Sequence, residues 1–141
     1  MSRIYWDTML FVYWLENHPQ HADRVQKIFA VMKQRRDTLC TSALALGETL
    51  TGPHRKHASE SILRIREFFQ PPHVQVLPFT VEAADRYARI RGESRVAAAD
   101  AIHLATAATA GVDLFLTNDH RLQKLVIPGI DFIAAMDVNL F

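Results

Sequence analysis

The chain predicts an α/β domain with a parallel sheet, and three observations carry that reading. Short strand-like runs alternate with segments of helical periodicity from one end to the other. With 141 residues, 49% of them hydrophobic, the chain is long enough for one compact domain, residues 1–141, with a real core. A charged fraction of 22% and a formal net charge of +1 exclude a disordered chain and an overall basic one. Any nucleic acid must therefore be held by local patches of Lys and Arg.

The elements follow in order. "RIYWD" predicts a first strand that closes on Asp7. "TMLFVYWLEN" and "QHADRVQKIFAVMKQRR" have helical spacing; in the second, Val25, Ile28, Phe29 and Met32 share one face. "DTLCTS" is a second strand. "ALALGETLTG" is a helix that Gly52-Pro53 is expected to stop or bend. "SESILRIREFF" is amphipathic, with Ile62, Ile65 and Phe69 on one side, and Pro71-Pro72 ends it. "VQVLPF" is a third strand. "TVEAADRYARIRGES" opens on Thr80 as a cap, and Glu82 favours its first turn. "AAADAIHLATAATAG" is an alanine-rich helix ended by Gly111. "LFLTN" and "IDFIAA" supply the fourth and fifth strands.

Ligands of parallel α/β sheets collect at the carboxyl ends of the strands. Asp7 closes the first strand and Asp119 lies just beyond the fourth, so adjacent strands would make them neighbours. Two further acids sit in unusual company: Glu48 in "SALALGETLTG" and Asp100 in "VAAADAIHLATAATAG", each almost without charged neighbours. An acid in an apolar helix is unfavourable unless it is paired or bound to a metal. Four gathered carboxylates would repel one another until a cation arrived. A hard divalent ion such as Mg²⁺ suits oxygen ligands, keeps waters and tolerates substrate phosphate. The chemistry so suggested is phosphodiester hydrolysis, with one or two ions activating water and stabilising the leaving oxygen. Plainer roles stand beside this one. Asp7 and Asp119 can cap helices or close turns, and Glu48 can pair with a buried Arg.

Taken together, "IYWDT", "SALALGETLTGP", "AAADAIHLATAATAG" and "LFLTNDHRL" resemble the PIN domain, most closely the VapC-like toxins of bacterial toxin–antitoxin pairs. The resemblance covers nearly the whole chain in the family's order and approximate spacing. It implies a three-layer α/β/α fold around a mostly parallel sheet of about five strands. The implied activity is that of an endoribonuclease dependent on Mg²⁺, or on Mn²⁺. The family's acids fall on Asp7, Glu48, Asp100 and Asp119. Asp7 and Asp100 would be the main metal ligands, with Glu48 and Asp119 completing the pocket partly through waters. Thr117 stands where the family often has a small polar residue that would orient a water of the metal, while Asn118 would shape the turn. The resemblance also implies a homodimer and a small antitoxin partner that covers the active site. The departure is Met9, where the family often has a polar residue after Asp-Thr or Asp-Ser; the four acids are intact.

RNA phosphates require nearby cations. Arg86, Arg89, Arg91 and Arg95 precede Asp100, Arg55 and Lys56 follow the Glu48 helix, and Arg121 follows Asp119. A solvated helix face is the plainer fate of such charges. The seven His residues include no His-Glu-x-x-His zinc motif. His54 and His57 are expected at the surface. His103 is expected to pack behind the site, with a bond to a carboxylate as the further option. Cys40 is the only cysteine, which excludes an internal disulfide and a thiolate zinc cluster and fits a buried small apolar residue. The N-terminus lacks the pattern of a signal peptide, and the apolar stretch from Met9 to Leu15 is too short to cross a bilayer. A soluble, cytoplasmic protein with no membrane segment is expected. Neither G-x-x-x-x-G-K-[ST] nor G-x-G-x-x-G occurs, which removes two nucleotide-binding classes. A receiver-type domain needs a conspicuous Lys at a late strand end and paired early acids, and neither is evident here. The alternative of a different class is a catalytically silent PIN-like module that binds RNA or protein.

Overall fold

The structure is a computed structural model and describes residues 1–141. Five strands form the sheet: β1 (Arg3–Trp6), β2 (Thr38–Ser42), β3 (Gln75–Leu77), β4 (Leu114–Thr117) and β5 (Phe132–Ala135). Six helices connect them: α1 (Thr8–Leu15), α2 (Ala22–Arg35), α3 (Ala43–Arg55), α4 (Ser59–Phe68), α5 (Val81–Glu93) and α6 (Ala98–Ala110). The strand order is β3-β2-β1-β4-β5, and every neighbouring pair is parallel. No helix is long and apolar enough to cross a membrane.

Alternation of side chains along a strand makes the two faces of the sheet. Ile4, Trp6, Leu39, Leu114 and Leu116 enter a core shared with Leu10, Phe11, Val25, Ile28 and Ile65 from the α1, α2 and α4 helices. Tyr5, Cys40 and Phe115 enter a second core with Ile90, Leu104 and Ala107 from α5 and α6. The result is the expected three-layer α/β/α arrangement. It explains why "IYW" and "LFL" read as unbroken apolar runs, since both faces of a central parallel strand are covered. On one face Trp6 packs against Phe11 with ring centroids 5.2 Å apart; on the other Tyr5 stacks on Phe115 at 4.9 Å and 9°. Cys40 is buried, as its apolar context suggested, and His54 and His57 are exposed.

The elements stand close to their expected places, with three differences. Pro53 does not stop its helix, because α3 continues to Arg55. A proline deprives the carbonyl four residues back, here that of Thr49, of its donor and crowds it. The last turn is still closed by bonds from Lys56 N to Gly52 O and from Ala58 N to Pro53 O. The third strand is shorter than "VQVLPF", ending at Leu77 before Pro78, which has no N–H to give the ladder. A 3₁₀ turn at His120–Lys124 is an element beyond those expected, and Asp119 caps it in the plainer role open to that residue.

The chain order places the site. From β1 it steps outward through β2 to β3, then returns by α5 and α6 to lay β4 on the other side of β1. Strand direction of travel therefore reverses between β1 and β4. At such a switch point the connecting segments diverge and leave a crevice at the strands' carboxyl ends.

Candidate active site

Each acid reaches that crevice from a different element. Asp7 is the first residue past β1, and its N–H still bonds Leu116 O of β4 at 2.9 Å. Its carboxylate caps α1, accepting from Thr8 N at 2.8 Å. The other oxygen accepts from Thr117 Oγ1, also at 2.8 Å. Thr117 ends β4, is fully buried, and in turn accepts from Asp119 N at 3.0 Å. One hydroxyl thus ties the tip of β4 to the tip of β1. The adjacency of β1 and β4 brings Asp7 and Asp119 to one cleft, the condition on which their meeting depended.

Glu48 lies in the second turn of α3, whose N-cap Ser42 ends β2. Its Oε1 accepts from Thr8 Oγ1 at 2.7 Å and lies 2.8 Å from His103 Nε2. The hydrogen bond from His103 holds the Glu48 carboxyl below its usual range, against the opposing effect of burial. A buried Arg is not its partner. Asp100 sits in the first turn of α6, where the helix dipole favours an anion. It has no hydrogen bond and no ion pair within the chain. Burial, then the charges of Asp7 and Asp119, push its carboxyl above the ordinary value. Asp119 is the opposite case. Arg121 grips both its oxygens, Nε to Oδ1 at 3.0 Å and Nη2 to Oδ2 at 2.7 Å, and holds the carboxyl below its usual range.

The four acids line one cleft of about 440 Å³, together with Thr8, Met9, Tyr13 and Thr117. Met9, in the place of a polar residue, is 43% exposed there and offers the cleft no donor or acceptor of strength. Asn118 donates to Tyr13 OH at 2.7 Å, which anchors the β4 loop to α1 and fits its expected turn-shaping part. Among the basic residues, Arg121 borders the cleft, and Arg95 shares an adjoining hollow with Asp100 and Asp119. Arg86 is engaged elsewhere, on Pro128 O and Glu82. His103 is buried as expected, and the carboxylate bond that stood as its further option is present, to Glu48. Its second partner, Tyr5 OH at 2.7 Å from Nδ1, was missed, because a tyrosine in an apolar strand reads only as core.

No three His, Cys, Asp or Glu side chains already converge as a cage for an ion. The donor set nevertheless fits a hard divalent cation. Its carboxylates include one, Asp100, that is partly buried among negative charges and unpaired. Mg²⁺ is commonly held by only one or two carboxylates and keeps its waters, so an all-protein cage is not required.

Fold and cleft together define a class: a three-layer α/β protein with an acid-lined crevice at the switch point of a parallel sheet. The family model of the PIN domain matches residues 4–127, and the chain belongs to the PIN-domain family. Among solved structures it is similar to a chain of the DNA-bound VapBC complex of Salmonella typhimurium, with 26% identity, 96% of this chain and 99% of that one covered, and a TM-score of 0.73. It is likewise similar to a chain of VapBC2 from Rickettsia felis bound to a promoter DNA fragment, with 17% identity, coverage of 94% and 98%, and a TM-score of 0.75. A third likeness is to VapBC-5 of Mycobacterium tuberculosis, a member of the VapBC family of toxin–antitoxin systems. There the identity is 19%, the coverage 96% and 99%, and the TM-score 0.62. No curated protein sequence matches the chain.

Proposed function

We propose that this chain is a divalent-metal-dependent endoribonuclease and the toxin of a toxin–antitoxin pair. The observation that carries the proposal is the unpaired Asp100 carboxylate, raised by burial and then by the charges of Asp7 and Asp119, at the switch point of a PIN-family sheet. Asp7 and Asp100 would hold the cation, Mg²⁺ or Mn²⁺, with Glu48 and Asp119 reached through water. When bound, the cation supplies an activated water and charge stabilisation for phosphodiester hydrolysis. The chain's own residues do the rest. Thr117 keeps the Asp7 carboxylate turned toward the cleft. Arg121, on an exposed side chain, can exchange Asp119 for a substrate phosphate, since a solvated ion pair is weak and a guanidinium fork fits either anion. Arg95 adds a second cation on the same side.

The likeness to VapBC complexes supports a cognate antitoxin as protein partner. A homodimer and a cytoplasmic location, in reach of RNA, complete the reading. The test is cleavage of single-stranded RNA with Mg²⁺, with Mn²⁺ and with chelator, for wild type, Asp7→Ala and Asp100→Ala. Metal-stimulated cleavage that both substitutions abolish is expected. Cleavage indifferent to metal, or unimpaired variants, would sink the enzyme assignment; RNA binding without cleavage would favour the silent binding module.

A further inference from the structure

His103 is the one buried titratable side chain beside the cleft to which the proposed reaction gives no part. It is only 2% exposed, on the second turn of α6. Its Nε2 faces Glu48 Oε1 at 2.8 Å, Thr8 Oγ1 at 3.1 Å and Asp7 Oδ1 at 3.7 Å. The Thr8 hydroxyl has already given its hydrogen to Glu48 Oε1, so only lone pairs of Thr8 face the ring. Three acceptors around Nε2 leave the ring proton there. Nδ1 meets two hydroxyls, Tyr5 OH at 2.7 Å and Ser42 Oγ at 3.3 Å. Tyr5 is fully buried, and with the ring proton on Nε2 its hydroxyl is the donor to Nδ1. The hydrogen bonds therefore run in one direction, from Tyr5 through the ring to Glu48.

At the far end of this chain, Glu48 Oε1 receives two donors, while Oε2 has no partner within the chain. We infer that His103, set by Tyr5 and assisted by Thr8, is a positioning residue that clamps one oxygen of Glu48 so that only the other serves the cleft. Glu48 then cannot rotate to grip a cation with both oxygens. It acts through a single oxygen, held in place by the protein interior and not by the loop. Tyr5 and Ser42 come from β1 and β2, Thr8 from the start of α1 and His103 from α6, so four elements fix one carboxylate orientation. Groups behind a ligand set commonly change metal affinity or activity 10- to 100-fold when removed. The inference rests on the proposed reaction, which makes Glu48 part of the site.

A double-mutant cycle tests it on the full chain, with wild type, His103→Gln, Glu48→Gln and the pair, and Tyr5→Phe as the milder arm. His103→Gln is expected to lower kcat about 10- to 100-fold with KM for RNA little changed. That loss should vanish in the Glu48→Gln background, because Gln turns its one oxygen to the clamp and offers the cleft only an amide NH₂, which cannot serve as a ligand in any orientation. Tyr5→Phe should show a smaller loss of the same kind. Losses that multiply independently in the two backgrounds would mean that His103 only fills the core, and would overturn the inference. A second readout does not need activity: ¹⁵N NMR of the histidine rings. The proton is expected on Nε2 of His103, with a resonance that moves in Glu48→Gln and in Tyr5→Phe. An unprotonated Nε2, or a ring indifferent to both substitutions, overturns the clamp even if His103→Gln fails to fold. If wild type shows no metal-stimulated cleavage, the proposed function falls, while the NMR result still judges the clamp separately.

Discussion

Replacing Thr117 by Val removes one hydroxyl and almost no volume. That hydroxyl donates to Asp7 at 2.8 Å and accepts from Asp119 N at 3.0 Å, and Thr117 itself is fully buried. A hydrogen bond to a charged group contributes about 1.5–3 kcal/mol, and a neutral one about 1 kcal/mol. Water can reach Asp7 in part, its side chain being 13% exposed, and recovers some of the loss. A net destabilisation of about 2 kcal/mol remains. For a chain of this size that lowers Tm by about 6 °C. Thr117→Ser keeps both bonds and loses only a buried methyl, worth about 1 kcal/mol. Differential scanning calorimetry and RNA cleavage across a Mg²⁺ titration check the pair together. Thr117→Val should melt several degrees lower and need more Mg²⁺ or turn over about 10-fold more slowly, whereas Thr117→Ser should cleave nearly as wild type. A Val variant with unchanged Tm and unchanged Mg²⁺ dependence would refute the idea that this hydroxyl joins the two strand tips.

Further outcomes follow from the same geometry. The raised Asp100 carboxyl binds its proton more tightly in the folded chain than in the unfolded one, so its ionised form opposes folding. That penalty is absent below the ordinary carboxyl pKa of about 4 and grows as pH rises through the raised one. Asp100→Asn should therefore melt slightly above wild type at neutral pH, equal it in acid, and lose both cleavage and the Tm gain from Mg²⁺. Arg121→Gln should leave Tm unchanged, since the guanidinium is almost fully exposed, but raise KM for RNA; an unchanged KM would remove Arg121 from the substrate path. Gly129→Ala should destabilise by at least about 2 kcal/mol in calorimetry, because φ is +102° and a Cβ would run into the Ala108 carbonyl. A neutral result there would contradict the close approach of that loop to α6.

Most of the architecture was readable because its signals are local. Lone acids in apolar helices marked Glu48 and Asp100, and an apolar run stopped by a polar tip marked Asp119. Thr80 and Gly111 act at their helix ends as such residues usually do. What escaped depends on neighbours distant in sequence. Tyr5 is 98 residues from His103, and nothing in "RIYW" tells a buried phenol with a partner from one more core ring. Arg121 reads as an RNA contact alone, and its second partner, Asp119, shows only once the 3₁₀ turn folds it back. Gly52-Pro53 reads as a stop or a bend because proline removes a bond, while the bonds around it carry α3 on to Arg55. The plain and the functional readings of Asp7 and Asp119 were not alternatives. Both residues cap an element, and both line the cleft with the same carboxylates.

The central claim is that Asp7 and Asp100 hold a divalent cation at the β1–β4 switch point. Its most direct test is anomalous diffraction from crystals of the protein soaked in Mn²⁺. The expected result is a peak bonded to carboxylate oxygens of Asp7 and Asp100, with Asp119 and Glu48 joined to it through ordered water. No peak in that cleft at saturating Mn²⁺, or a peak that leaves Asp100 untouched, would contradict it.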